Sequence, residues 1–338
     1  MTFKVGITRD LLNAAGEPCF DPRAFDVLKV NNIAWEWVPE DMTELTPDVA
    51  ARYDGLHINL PRVTAASLSR ADCRLKVLAR NGVGYDTVDL PAATAKGIVV
   101  TNTPIAVRRP LAVATLTLIF ALAGRLFVKD ELVHQNRWND RVDVMGQGLT
   151  SRTLGLVGAG GVGQEIMQLA RPFFGRMIAA DPYADVARTK SLGADLVPLD
   201  TLMRESDFVV VCCLLNDETR HLINATNLAL MKPTAYFLNV GRGPIVDEAA
   251  LIDTLKAGRI LGAGLDVTYQ EPINPDNPLL AMDNVIITPH ALCWTDECFH
   301  EIAATALQSI LDVSLGKRPA HVVNPDALGK TGKSAGVV

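Results

Sequence analysis

The fold is indicated by one stretch of sequence, TLGLVGAGGVG, which occupies residues 153–163. Residues 153–157 form a short apolar run of the kind that is typical of a buried β-strand. The apolar residues after the glycines are spaced by three or four, as on one face of a helix: Val162, Ile166, Leu169 and Phe173. The stretch therefore predicts a strand, a glycine-rich turn and a helix in direct succession.

The glycines of this turn fit a site for the diphosphate of a dinucleotide. The first allows the tight bend, the second lets the backbone approach the diphosphate, and the third lets the helix pack closely on the strand. Free N–H groups at the start of the helix then face the diphosphate. We assign cofactor binding to five residues of the turn, with a purely structural turn as the alternative: Gly158, Gly160, Gly161, Val162 and Gly163.

An acidic residue, Asp181, follows the next apolar run and lies 23 residues after Gly158. A carboxylate at this place accepts hydrogen bonds from the ribose hydroxyls and repels a 2′-phosphate. The pattern favours NAD over NADP. An Asp that caps a local turn before Pro182 is the alternative.

Similar apolar runs occur in two series, separated by the segment before residue 153. The first series comprises residues 3–7, 34–38, 55–58, 75–79 and 98–100, and the second 154–157, 177–180, 208–212, 236–240, 262–267 and 285–287. Amphipathic stretches alternate with these runs, which predicts an α/β fold with mainly parallel sheets. The length of 338 residues also fits two domains.

The composition excludes several classes of protein. Hydrophobic residues make up 49% of the chain, which is enough for two cores and excludes a disordered protein. A formal net charge of −6 offers no basic face for nucleic acid. Six cysteines without CxxC spacing indicate reduced thiols and no metal site: Cys19, Cys73, Cys212, Cys213, Cys293 and Cys298.

The longest uncharged apolar stretch, residues 110–124, has 15 residues and is shorter than the ~20 that a membrane span needs. We expect a buried helix that begins at Pro110, because proline suits the first helical turn. The first residues of the sequence lack the pattern of a signal peptide. We therefore expect a cytoplasmic protein with no membrane partner.

Three charged or titratable residues follow predicted strands of the second series: Arg242, Glu271 and His290. In open parallel sheets, ligands bind at the carboxyl ends of the strands. Arg242 is suited to hold a carboxylate by two parallel hydrogen bonds, and His290 to donate or remove a proton. Glu271 is suited to orient the imidazole. A surface ion pair, a turn acid and a helix cap are the respective alternatives.

Together with these residues, several motifs resemble the D-isomer-specific 2-hydroxyacid dehydrogenase family, which includes phosphoglycerate dehydrogenase and glyoxylate/hydroxypyruvate reductases. The similarity extends from about residue 75 to residue 325. It includes NGVGYDTVD at 81–89, VTNTP at 100–104, Trp138, Gly148, DET at 217–219, AGLDV at 263–267 and TPH at 288–290.

The resemblance implies a role for each of several residues. Arg242, Glu271 and His290 are the catalytic residues. The backbone N–H groups of Val83 and Gly84 bind the substrate carboxylate, and Asp266 faces the nicotinamide. We also place Asn59 at the side group of the substrate. Thr115, Val240 and Gly241 complete the cofactor-binding residues that we predict.

The resemblance also implies the domain organisation. Residues 1–106 and 288–325 form a flavodoxin-like substrate domain, residues 107–287 an inserted NAD-binding Rossmann domain, and residues 326–338 a C-terminal tail. The Gly/Ser/Lys-rich sequence from Asn324 onward suggests that the tail is loose. Family members are usually homodimers joined through the cofactor domains.

The activity implied is reversible reduction of a 2-oxo acid to a D-2-hydroxy acid with NADH. A phosphite or formate dehydrogenase is an alternative within the superfamily, although formate enzymes pair the histidine with Gln where this chain has Glu271. A non-enzymatic, NAD-sensing corepressor on the same fold is an alternative from another class.

The chain departs from the family pattern at three places. Val113 replaces a common acidic residue, and CCLLN at 212–216 replaces the family's His-x-Pro-x-Thr run. Arg108 and Arg109 precede Pro110, where a helix N-terminus would disfavour cations. We hypothesise that one of these arginines meets a second anionic group on the substrate or the phosphates of the cofactor.

Overall fold

The computed structural model describes residues 2–329, which divide into two compact units. Unit 1 contains the described residues up to Val107 and from Trp294 onward, and unit 2 is Arg108–Cys293. Each unit is built on its own parallel sheet with helices packed against it. These observations confirm the α/β fold class with two sheets.

Unit 1 contains a five-stranded sheet in the order β2-β1-β3-β4-β5, which is the flavodoxin-like order. Leu56 and Leu78 face one core of apolar side chains, whereas Val5 and Val77 face a second core on the other side. The strands are β1 Lys4–Ile7, β2 Ala34–Trp37, β3 Gly55–Ile58, β4 Val77–Arg80 and β5 Val99–Thr101. The helices are α1 Asp26–Val30, α2 Pro47–Arg52, α3 Leu90–Ala95 and α11 Asp296–Ser314.

Unit 2 contains a seven-stranded parallel sheet in the order β12-β11-β10-β9-β6-β7-β8. The six strands that come first in the chain, β6 to β11, lie in the order β8-β7-β6-β9-β10-β11, which is the doubly wound Rossmann order. The strand order reverses between β6 and β9. The strands are β6 Thr153–Val157, β7 Arg176–Ala180, β8 Ala194–Leu196, β9 Phe208–Val211, β10 Tyr236–Asn239, β11 Gly262–Leu265 and β12 Val285–Ile287. The helices are α5 Leu126–His134, α6 Gly161–Ala170, α7 Val186–Ser191, α8 Leu199–Glu205, α9 Ala225–Leu228 and α10 Glu248–Lys256. The short edge strand β8 was not predicted from the sequence.

The long helix α4, Pro104–Gly124, begins six residues earlier than we predicted, so the predicted start at Pro110 is wrong. Pro104 suits the first helical position as well as Pro110 does, and Pro110 lies inside the helix. Arg108 and Arg109 are therefore helical residues and do not precede the helix.

At 21 residues, α4 is also long and apolar enough to cross a membrane by length and composition. Half of its apolar window is buried inside the protein, and Leu118 and Leu122 belong to the same core as strand β6. Such burial is typical of a core helix in a globular protein.

The first residues of the expected C-terminal tail are part of the fold of unit 1. Asn324 is buried, its Oδ1 accepts a hydrogen bond from the N–H of Val100 at 2.8 Å, and its Nδ2 donates to the carbonyl of Ile98 at 2.9 Å. Ala327 is also buried. The expected loose tail from Asn324 onward is therefore wrong for its first residues. Residues 330–338 of the predicted tail lie outside the described residues.

Candidate active site

The glycine turn after β6 has the geometry that its sequence predicts. Gly158 has a φ of +110°, and a Cβ on it would lie 2.8 Å from the backbone nitrogen of Cys213. A Cβ on Gly163 would overlap with the carbonyl oxygen of Gly158. Neither position tolerates a side chain. These two glycines therefore bring β6, the turn and α6 into close contact.

The start of α6 fits a diphosphate group. Gly160 is the N-cap residue, no side chain caps the helix, and a Cβ on Gly160 would meet no atom within 4 Å. Gly160 and Gly161 are exposed, and Val162 is partly buried. The N–H groups of the first turn of α6 therefore face open space, as an anion-binding helix N-terminus requires.

Asp181 lies directly after β7, at the edge of the glycine turn. Its Oδ2 accepts a hydrogen bond from the N–H of Ala159 at 2.8 Å, and its Oδ1 accepts one from the N–H of Tyr183 at 2.9 Å. Two backbone donors thus fix the carboxylate beside the turn. This position is consistent with binding of the adenosine ribose by Asp181.

The cysteines that replace the family's His-x-Pro-x-Thr run pack beneath the glycine turn. The Sγ of Cys212 lies 3.2 Å from the carbonyl oxygen of Gly158, to which it donates a hydrogen bond. Burial raises the pKa of the Cys212 thiol and raises the pKa of Cys213 to about 11. Both side chains are therefore neutral thiols near pH 7, as expected for structural cysteines.

His290 and Glu271 form a hydrogen-bonded pair. The Nδ1 of His290 lies 2.8 Å from the Oε2 of Glu271, and the N–H of Thr268 donates to the Oε1 of Glu271 at 3.2 Å. Burial raises the pKa of Glu271, but the hydrogen bond and charge of His290, the Thr268 N–H and the charge of Arg242 outweigh this effect. The pKa of Glu271 is thus lowered, so the carboxylate is ionised at neutral pH.

The loop of His290 is held by Asp266, which is only 2% exposed. The Oδ1 of Asp266 accepts hydrogen bonds from the Thr288 hydroxyl at 2.7 Å and from the N–H groups of Ala291 and Leu292, both at 3.1 Å. The carbonyl oxygen of Asp266 accepts from the N–H of His290, whose φ is +53°. The carboxylate of Asp266 thus positions the histidine loop, and the expectation that Asp266 faces the nicotinamide stays a prediction.

Arg242 follows β10 in a loop that two neighbouring residues shape. The amide of Asn239 donates to the carbonyl of Arg242 at 2.9 Å and accepts from the N–H of Gly241 at 3.1 Å. A Cβ on Gly243 would overlap with the carbonyl oxygen of Thr268. The absence of a side chain at Gly243 therefore lets the Arg242 loop approach the loop that carries Glu271.

Sequence reasoning did not find two of the residues that support this site, Asn239 and Glu248. Glu248 accepts hydrogen bonds from the N–H of Tyr269 and the Nδ2 of Asn277, both at 2.8 Å. It thereby holds the loop that carries Glu271 at two points, one before and one after that residue. An acid at the first position of α10 gave only a helix-start signal in the sequence.

Three further residues that we predicted to bind the cofactor have hydrogen-bond partners within the protein. Thr115 is fully buried, and its hydroxyl donates to the carbonyl of Leu111 at 2.7 Å. The N–H groups of Val240 and Gly241 donate to Val211 and to Asn239. The assignment of these three residues to the cofactor stays a prediction.

The predicted substrate residues of unit 1 lie at the carboxyl ends of β3 and β4. Asn59 is buried, and its Oδ1 accepts from the amide of Asn81 at 3.2 Å, so its assignment to the substrate side group stays a prediction. The carbonyl of Val83 accepts from the amide of Asn102 at 2.8 Å. Among residues 2–329, no hydrogen bond is found for the N–H groups of Val83 and Gly84, which suits them to an anion.

A family model and several similar proteins identify the same family. Residues 116–291 match the model of the D-isomer specific 2-hydroxyacid dehydrogenase, NAD binding domain. Glyoxylate reductase of Korarchaeum cryptofilum is 37% identical over 266 residues, covering 78% of this chain and 80% of that protein. Glyoxylate/hydroxypyruvate reductase B of Shigella boydii is 36% identical over 304 residues, covering 89% of this chain and 92% of that protein.

A solved structure extends the similarity to the three-dimensional fold. The crystal structure of D-lactate dehydrogenase from Aquifex aeolicus, complexed with NAD and lactic acid, has a TM-score of 0.82 and 25% sequence identity. The similarity covers 95% of this chain and 99% of that chain.

Proposed function

Because the chain belongs to the D-isomer-specific 2-hydroxyacid dehydrogenase family, we propose that Arg242, Glu271 and His290 interconvert a small 2-oxo acid and a D-2-hydroxy acid. The protein is an NAD-dependent oxidoreductase of that family, and the expected cofactor is thereby confirmed. The observation that carries the proposed chemistry is the hydrogen bond between His290 Nδ1 and Glu271 Oε2.

Each of the three residues has a separate role in the proposed reaction. NAD, when bound, supplies the group that donates or accepts the hydride. Because Nδ1 of His290 donates to the carboxylate of Glu271, Nε2 is the atom that gives a proton to the substrate carbonyl oxygen or takes it back. Ionised Glu271 fixes the orientation and the tautomer of the imidazole through this hydrogen bond. Arg242 holds the substrate carboxylate through its planar pair of donors.

We propose that the substrates are small 2-oxo acids such as glyoxylate and hydroxypyruvate. Two relatives that match most of this chain carry these substrates in their names. The test is a panel of 2-oxo acids with NADH: glyoxylate, hydroxypyruvate, pyruvate, phenylpyruvate, oxaloacetate and 2-ketoglutarate. We expect turnover of at least one small acid within the ordinary range of ~1–1000 per second. Failure with every acid would overturn the proposal and favour phosphite oxidation or an NAD-sensing role.

Asp181 is expected to set the preference for NADH over NADPH, because its fixed carboxylate would repel a 2′-phosphate. Asp181→Ala should narrow the ratio of kcat/KM for the two cofactors by about ten-fold, the effect of ~1.4 kcal/mol. Asp195→Asn, at an exposed position on β8, is the matched control and should leave this ratio unchanged. Equal use of both cofactors by the unmutated protein would show that another group determines the preference.

We also propose that the protein is a homodimer joined through unit 2. Eight large exposed apolar side chains occur in one segment of unit 2, residues 113–145: Val113, Phe120, Leu126, Phe127, Val133, Trp138, Val142 and Met145. Concentrations of exposed apolar residues mark protein interfaces more often than free surface. Sedimentation equilibrium should give twice the chain mass of 36.4 kDa, and a monomer at micromolar concentration would contradict the proposal.

A further inference from the structure

Arg108 lies against the start of α6, the helix that follows the glycine turn. A Cβ placed on Gly161, the first residue of α6, would lie 3.0 Å from Nε and 3.1 Å from Nη2 of Arg108. The guanidinium group therefore occupies the space that a side chain at position 161 would take. The glycine at this position permits the close approach of Arg108 to the turn.

This placement is unfavourable for the protein alone. The first turn of a helix carries a partial positive charge, so a cation beside it is destabilised. The Nε of Arg108 is buried and lacks a hydrogen-bond partner in the part of the chain that the structure describes. Within residues 2–329, no carboxylate lies within ion-pair distance of Arg108. An unpaired donor and an uncompensated charge at one point make this place suited to bind an anion.

The neighbouring arginine differs in this respect. The Nε of Arg109 lies 2.6 Å from the Oε1 of Glu165 on α6, so an acidic side chain compensates its charge. The two arginines are adjacent on the same helix and both approach α6. Only Arg108 approaches the glycine turn, and this contrast makes Arg109 a matched control.

We propose that Arg108 binds the diphosphate of NAD, and so adds a side-chain cation to the backbone N–H groups of the turn. A diphosphate at the N-terminus of α6 would give the guanidinium a charged hydrogen-bond acceptor and would offset the local positive charge. The proposal rests on NAD binding and not on the identity of the substrate. It selects the cofactor phosphates over a second anionic group on the substrate.

The test compares two ligands that differ in their phosphates, titrated calorimetrically into the protein. ADP-ribose carries the diphosphate, whereas adenosine lacks it. For Arg108→Gln we expect the Kd of ADP-ribose to rise about ten-fold or more, the usual effect of losing a charge-assisted hydrogen bond. The Kd of adenosine should stay within about two-fold. Arg109→Gln should leave both constants within about two-fold, because exposed ion pairs contribute little.

Two further measurements test whether the charge of Arg108 contributes to the affinity for ADP-ribose. The affinity for ADP-ribose should fall more steeply with added KCl in the unmutated protein than in Arg108→Gln. Arg108→Lys, which keeps the charge, should lie between the two proteins and serves if Arg108→Gln does not fold. An unchanged Kd for ADP-ribose, or an equal loss for adenosine, would overturn the proposal. No 2-oxo acid is present, so this outcome is independent of the proposed catalytic function.

Discussion

Replacing His290 by Asn is expected to lower kcat for 2-oxo acid reduction by about 100-fold or more, the usual contribution of a general acid. Asn suits this position because His290 has a φ of +53°, which Asn tolerates better than most residues. The affinity for NADH should barely change, because His290 lies in the loop after β12 and not in the glycine turn. Single-turnover rates and fluorescence titration with NADH measure the two quantities.

The control for this variant is its melting temperature, which reports whether the loop of His290 remains folded. The bonds from the Thr288 hydroxyl and the N–H groups of Ala291 and Leu292 to Asp266 do not involve the imidazole, so the melting temperature should change little. Near-normal turnover by His290→Asn would remove the histidine from the mechanism.

Arg242→Lys is expected to raise KM for the 2-oxo acid by about ten- to one hundred-fold, because an ammonium group lacks the two parallel donors of a guanidinium. The loop itself should remain in place, since the bonds of the Asn239 amide to backbone groups of Gly241 and Arg242 do not involve the guanidinium. Steady-state kinetics at saturating NADH give KM and kcat separately.

The matched control is Arg259→Lys, an exposed arginine after α10. This substitution should change neither constant. If KM for the 2-oxo acid is unchanged in Arg242→Lys, the substrate carboxylate must be bound by other groups.

The features that the sequence predicted well are those set by neighbouring residues. The strand, glycine turn and helix at residues 153–163 depend on local spacing, and the structure explains the glycines at 158 and 163 by close backbone contacts. Arg242, Glu271 and His290 each follow a strand of one parallel sheet, which brings loops at the carboxyl ends of the strands to the same edge.

The contacts that the sequence did not reveal join distant parts of the chain. Asn59 accepts a hydrogen bond from Asn81, which lies 22 residues later, and Asp266 accepts one from Leu292, which lies 26 residues later. A sequence pattern does not show which polar side chains also have partners within the protein. The start of α4 was missed for a different reason, because two prolines in the same segment are each compatible with a first helical turn.

The roles of Arg108 and Arg109 also required the structure. The sequence presents them as equivalent neighbours. Only the three-dimensional contacts show that Glu165 pairs with Arg109, whereas Arg108 lies against Gly161.

The central claim is that His290, oriented by Glu271, supplies the proton for 2-oxo acid reduction. The most direct test is the pH dependence of kcat for reduction in the unmutated protein and in Glu271→Gln. The lowered pKa of Glu271 keeps its carboxylate charged from neutral pH into the acid range, so kcat of the unmutated protein should fall only where this carboxylate is protonated. Because Gln carries no charge at any pH, the variant should have a kcat at least about ten-fold lower at neutral pH, the effect of ~1.4 kcal/mol, and should lack this acidic fall. Equal kcat values of the two proteins at neutral pH would contradict the claim.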